Sequence, residues 1–148
     1  MQKKRIDWWN IAFSLFFILL MYVGYQLVLA AGVRPRYISL WDTTIMALAA
    51  FRLTRIVVYD SITKWFRALF DDGKEYTFWG TLKTLVNCPW CMGLWFALVV
   101  ATAFFTSPFL WFFIFILALG GVASFIQIVA NLIGWSAEHG KKKALIND

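Results

Sequence analysis

Two thiols within one helical turn, Cys88-Pro89-Trp90-Cys91, are the part of this sequence best suited to chemistry. Proline disfavours helical geometry at the residue before it and fits the first position of a helix. The spacing therefore predicts Cys88 as a helix N-cap and Cys91 as the third helical residue. Unpaired N–H groups and the positive end of the helix dipole favour thiolate at such a place. A pair of thiolates can exchange with a disulfide or bind a soft metal ion. Neither chemistry comes complete. A thioredoxin-like enzyme carries its motif on a βαβ framework, which this sequence lacks. The quinone-linked thiol oxidases of membranes relay electrons through a second cysteine pair, and this chain has two cysteines in all. A structural zinc site needs four ligands. Cys88 and Cys91 supply two, and His139, the sole histidine, is a third candidate; two chains together would supply four cysteines. Zinc is the one cofactor the sequence suggests, and a plain packing role for the cysteines stands beside it.

A second cluster comprises Arg52, Arg55, Tyr59 and Asp60. The first three share a helix face and Asp60 follows directly. One reading is a polar site at the inner membrane edge, close to the thiols. The other is a pair of arginines reaching toward headgroups, with Asp60 or Ser61 capping the next helix. Asp71, Asp72 and Glu75 surround Gly73 and read as a solvated turn. The sequence has no phosphate-binding glycine loop, hydrolase serine motif or paired-carboxylate site.

The elements that must position these residues are written in the composition. The 148 residues are 61% hydrophobic, 20% aromatic and 15% charged, against about 25% charged in soluble domains. A water-soluble domain of this size buries only about 70% of its chain's surface, too little to hide so much apolar area. The sequence therefore predicts an integral membrane protein, all-α, as a single domain over residues 1–148. Four spans are expected, at about 11–31, 39–59, 89–105 and 109–135, on the rule that roughly 20 apolar residues cross a bilayer. They form a four-helix bundle. Residues 61–87 read as a cytoplasmic interfacial segment of short amphipathic helices: Ile62, Trp65, Phe66, Leu69 and Phe70 recur on one face, with Lys64 and Arg67 between them. A cleavable signal peptide is the alternative for the first span, and a surface-lying helix for the second, because Arg52 and Arg55 sit near its end.

Charge placement sets the orientation. With four spans and a cytoplasmic amino terminus, twelve of the fourteen basic residues face inward, leaving Arg34 and Arg36 outside, as the positive-inside rule requires. A rival with the second segment on the surface and an external amino terminus puts eleven inside and three outside. Both place the central segment and the basic tail of Glu138, His139 and Lys141 to Lys143 in the cytoplasm, and cytoplasmic thiols are reduced. The expected location is a bacterial inner membrane, crossed several times, with both termini inside. A net charge of +6 on one side suits anionic headgroups; no nucleic-acid motif accompanies it. Helix association in lipid relies on small and polar residues. Gly93, Ala97 and Ala101 supply these on the third span, and Gly120, Ser124, Gln127, Asn131 and Gly134 form one stripe on the fourth. That stripe is expected to face protein, within the bundle, in a homo-oligomer or against another membrane protein.

Three segments carry a resemblance. They are residues 47–60 (ALAAFRLTRIVVYD), then Ile62-Thr63 and Phe66-Arg67, then residues 88–95 (CPWCMGLW). Together they resemble a bacterial family of small membrane proteins of unknown function that includes a Bacillus sporulation protein and phage-borne members. The likeness covers roughly residues 40–132 and matches Arg52, Arg55, Asp60, Cys88, Cys91, Gly93 and Trp95 position by position. It implies that both clusters matter and carries no activity. The expected function is a non-enzymatic accessory, assembly or immunity-type membrane component. A thiol oxidoreductase or metal-binding protein using the cysteines, and a holin-like membrane protein, are the alternatives.

Overall fold

The computed structural model describes residues 8–32, 38–74 and 76–147, with residues 140–147 by their backbone alone. The basic start at Lys3 to Arg5, the Arg34–Arg36 link, Glu75 and the side chains of Lys141 to Lys143 lie outside these. Every regular element among the described residues is helical: α1 (Trp8–Ala30), α2 (Leu40–Val58), a 3₁₀ turn (Ser61–Thr63), α3 (Lys64–Ala68), α4 (Phe78–Asn87), α5 (Pro89–Thr106) and α6 (Pro108–Asn147). Local chemistry sets the boundaries. Gly32, at φ 76°, ends α1 in the left-handed conformation that glycine adopts without a Cβ penalty. The Ser39 hydroxyl accepts the Trp41 N–H at the start of α2. Pro89 opens α5 and Pro108 opens α6, each where a missing N–H costs nothing.

Three helices are long and apolar enough to cross a membrane: α1, α5 and residues Pro108–His139 of α6. The second expected span, α2, has the length but carries Asp42, Arg52 and Arg55 and falls short of that apolarity. The large side chains are distributed inside out. No large side chain among the described residues is fully buried, whereas Leu15, Ile18, Phe112, Ile116 and many others are exposed. The interior is made of Ile45, Ala49 and Ala50 of α2, Val100 of α5, and Ile114 and Ala118 of α6. Small residues inside and bulky ones outside suit a lipid-facing surface, where close backbone approach replaces the hydrophobic force that water would supply.

The helix directions follow from these contacts. Phe17 rests edge-on against Trp95, and Gly24, further along α1, faces Thr102, further along α5. α1 and α5 therefore run parallel. Leu48 meets Gly121 and Arg52 meets Ser124, so α2 runs parallel to α6. α6 doubles back on α5 at Ser107, making α2 antiparallel to both α1 and α5. One end of the molecule thus gathers the start of α1, the end of α2, the short helices α3 and α4, and the start of α5.

Two elements differ from the sequence reading. The amphipathic run after Ser61 is a single 3₁₀ turn followed by the five-residue α3, and it breaks at Ala68. The tail read as polar and separate continues as helix to Asn147. Its Glu, Ala, His and Lys residues carry the polarity of a tail and, His aside, the propensity of a helix.

Candidate functional site

The arginine cluster and the small-residue stripe, read from the sequence as separate features, meet at the end of α2. Gly120 has no side chain, and the aliphatic stem of Arg52 lies across it, 3.5 Å from where a Cβ would be. The guanidinium then donates from Nη1 to Ser124 Oγ at 2.9 Å and pairs with Asp60 Oδ2 at 3.3 Å. The Ser124 hydroxyl gives its own proton to the Gly120 carbonyl at 2.8 Å, so a lone pair is left to accept from Arg52. Both members of the ion pair are half-buried, each 29% exposed. Arg52 thereby joins three parts: α2, α6 and the segment that leads into α3.

Asp60 precedes the 3₁₀ turn as the sequence expects, but its carboxylate makes no capping bond. A charge-assisted bond to arginine is roughly twice as strong as a neutral one, and Arg52 takes it. The carbonyls of the last turn of α2 have no intrahelical partners. Arg67 serves them, donating to the carbonyls of Val57 at 2.6 Å and Asp60 at 3.1 Å and to the Thr63 hydroxyl at 3.0 Å. Thr63 Oγ1 lies against the carbonyls of Ile56, Val57 and Asp60. A cation here also complements the negative end of the helix dipole. The sequence reading treated Arg67 as a basic flank and passed over the role of Thr63. Their four-residue spacing just past a helix end was the available signal. Arg55 stacks its guanidinium over the Tyr59 ring, 5.5 Å from the centroid. Its Nε is buried and has no hydrogen-bond partner among the described residues.

Cys88 and Cys91 occupy the predicted places. Cys88 caps α5, and its Sγ accepts the Cys91 N–H at 3.4 Å. The Cys91 side chain and N–H, both hydrogen-bonded to Cys88, hold the Cys88 thiol below its ordinary pKa, against a smaller upward push from burial. Both cysteines are free. They share the end of the molecule with the arginine cluster, with no hydrogen bond or ion pair between the two groups among the described residues. Gly93 turns toward Thr54 of α2, whereas Cys91 lines a cleft against α1 and α4. No third His, Cys, Asp or Glu among the described residues joins the cysteines, His139 included.

The rest of the stripe is divided. Ala101 is half-buried and Ala97 exposed on α5. Gln127 Nε2 donates to Asn131 Oδ1 at 3.1 Å, and both residues are exposed on α6 beyond the bundle. Gly121, outside the stripe as read, makes the tightest approach: a Cβ there would lie 2.5 Å from the Leu48 carbonyl oxygen.

The family model described as "Protein of unknown function (DUF1360)" matches residues 45–84 and 78–130, from the core face of α2 through the tie at Ser124. The chain belongs to this family. It is 30% identical over 105 residues to the sporulation protein YjcA of Bacillus subtilis (strain 168), covering 59% of this chain and 88% of that one. It is 27% identical over 99 residues to the UPF0713 protein YngL of the same organism, covering 59% of this chain and 76% of the relative. No solved structure matches the chain significantly. The resemblance read from the two motifs is therefore correct, and the matched residues include both clusters. α1 and the rear half of α6 lie beyond them.

Proposed function

We propose that this DUF1360 protein is a four-crossing component of a bacterial inner membrane, an accessory or assembly protein that acts through its helix and lipid contacts. The process we assign to it, from the relative called a sporulation protein, is sporulation. The observation that carries the reading is the tie of Arg52 to Asp60 and Ser124. The charges of Arg52 and Asp60 are spent on joining α2, α6 and the interfacial segment, which is the work of a scaffold. Helix direction supports four crossings. If α1 and α5 both cross and run parallel, the chain must return between them, and α2 is the helix that runs back. Its arginines then lie at the inner end, where their long side chains reach the headgroup region, in keeping with twelve of fourteen basic residues inside. Exposed Trp65 and Trp79 on α3 and α4 suit an aromatic belt at the same level.

Reporter fusions at the two termini test this. An even number of crossings puts both termini on one side, and both reporters are expected to read cytoplasmic. Termini on opposite sides would mean that α2 does not cross, and would overturn the reading.

The lowered pKa of Cys88 favours a second reading, thiol chemistry at the inner face. In exchange with a partner's disulfide, Cys88 and Cys91 would give up two electrons and two protons and the partner would leave as a dithiol. A zinc ion here would need a second chain's cysteines to complete four ligands. Because the pKa is lowered, thiolate persists to lower pH than for an ordinary cysteine. In the native pair, alkylation by iodoacetamide followed at Cys88 by peptide mass mapping should therefore show a pH midpoint below that of an unperturbed thiol. A midpoint at or above the ordinary value removes the support for this reading. Unchanged function in a Cys88→Ser/Cys91→Ser double variant would dismiss the reading itself.

A further inference from the structure

Between α1, α4 and α5 lies a cleft of ≈ 560 Å³, lined by side chains whose polarity is graded along its length. Its volume falls within the roughly 300–1,000 Å³ of small-molecule sites. At the end shared with the cysteines stand Ser14, Thr81 and Thr84; toward the bundle interior stand Phe17, Leu94 and Trp95, and Cys91 lies between. The gradient has the sense of a lipid in a leaflet, with the head at the membrane edge and the chain directed inward. No charged side chain lines the cleft among the described residues. In the neighbouring polar depression Lys83 and Asp71 are paired with each other, Nζ to Oδ1 at 3.8 Å.

The hydroxyls state what the head must offer. Ser14 donates to the Asn10 carbonyl at 2.8 Å and Thr84 to the Gly80 carbonyl at 3.0 Å, so each presents only lone pairs. Thr81, 6% exposed, has a hydroxyl with no partner among the described residues, and a buried hydroxyl left unpaired is destabilising. The wall therefore offers two acceptors, the buried unspent hydroxyl of Thr81 and the amide of Asn10, which both donates and accepts. An anionic phosphate finds no cation to pair with among the residues that line the cleft and leaves the two acceptors unused; an uncharged head rich in hydroxyls can use donors and acceptors alike.

We propose that this cleft binds an uncharged glycerolipid, a monoacylglycerol or its close relatives. The glycerol hydroxyls donate to Ser14 and Thr84 and accept from Thr81, and the acyl chain runs along Phe17, Leu94 and Trp95. The site depends on α1, which lies outside the family-matched residues.

Cys91 is exposed and lines the cleft, which makes it the reporter. The full chain carrying Cys88→Ser is purified in detergent and reacted with N-ethylmaleimide, with and without 1-monooleoylglycerol. The lipid should slow labelling about fivefold or more, the reduction when four-fifths of the sites are filled. Lysophosphatidylglycerol with the same chain should slow it little. Thr81→Val should remove most of the protection, and Ser14→Ala provides the same test should Thr81→Val fail to fold. Phe109→Cys, on a background lacking both native thiols, places a reporter at an exposed position of α6 remote from the cleft, where labelling should not change. Absence of slowing overturns the proposal. So does equal slowing by the anionic lipid, or at position 109, since either shows a micelle effect without recognition of the head. Binding in detergent does not depend on how often the chain crosses a membrane, so this result and the reporter-fusion result fail separately.

Discussion

Gly121→Ala should destabilise the folded protein by about 2–3 kcal/mol, the upper part of the range for overpacked interiors. A Cβ at this position would stand 2.5 Å from the Leu48 carbonyl oxygen and 3.1 Å from its carbon. Those are backbone atoms of α2, so no rotamer change relieves the clash, and the two helices must separate by nearly an ångström. They share the core of Ile45, Ala49, Ile114 and Ala118, and separation there forfeits many small dispersion contacts at once. Two other glycines of α6 supply the controls. At Gly134 nothing lies within 4 Å, so Gly134→Ala should show only the helix-propensity gain of up to about 1 kcal/mol. At Gly120 the neighbour is the flexible stem of Arg52 at 3.5 Å, an ordinary contact, so Gly120→Ala should likewise be neutral to stabilising by up to about 1 kcal/mol. Thermal unfolding in one detergent ranks the three. A Gly121→Ala protein as stable as Gly134→Ala would show that α2 and α6 do not pack in this way. Gly121→Leu should not yield folded protein.

The same glycines show which features were legible in the sequence. Four-residue spacing of small residues picked out Gly120 and Ser124, and both do contact α2. The spacing could not show which residue of α2 approaches most closely, because that depends on the direction and offset of a helix some seventy residues earlier. The stripe therefore missed Gly121 by one position. Long apolar runs were easy to read, and α1, α5 and α6 stand within a few residues of their expected bounds, the far end of α6 apart. The N-cap at Cys88 was equally legible, since Pro89 imposes it locally. Partnerships across the chain were not. Arg67 serving the end of α2, and Arg52 reaching Ser124, join residues whose types fit many partners. Asp60 illustrates the cost of reading locally. Its position predicted a cap, but a guanidinium eight residues earlier in sequence competes for the same oxygens and wins.

Arg52→Glu should be the most damaging single change at the end of α2, costing more than Arg52→Met and recoverable in part by a second substitution. Arg52→Met keeps the stem over Gly120 and removes the bonds to Asp60 and Ser124. Hydrogen bonds to charged groups contribute about 1.5–3 kcal/mol when buried. Both partners are 29% exposed, so water replaces part of this, and about 1–2 kcal/mol is the expected loss. Membrane insertion should respond in the opposite sense, because an arginine disfavours insertion by as much as about 2.5–3.5 kcal/mol at a helix centre and by less near its end. Arg52→Met should thus raise the inserted fraction of α2 while lowering the stability of the assembled bundle. Arg52→Glu adds repulsion between two carboxylates to the lost bonds, and the expected outcome is little folded protein. Adding Asp60→Lys reverses the pair and should recover a substantial part of the fold, read as monodisperse protein in detergent. Recovery requires the two side chains to face each other across the end of α2. An arginine that only reaches toward headgroups would gain nothing from a lysine at position 60, so failure of the swap, with the single Asp60→Lys variant still folded, would return Arg52 to that simpler role.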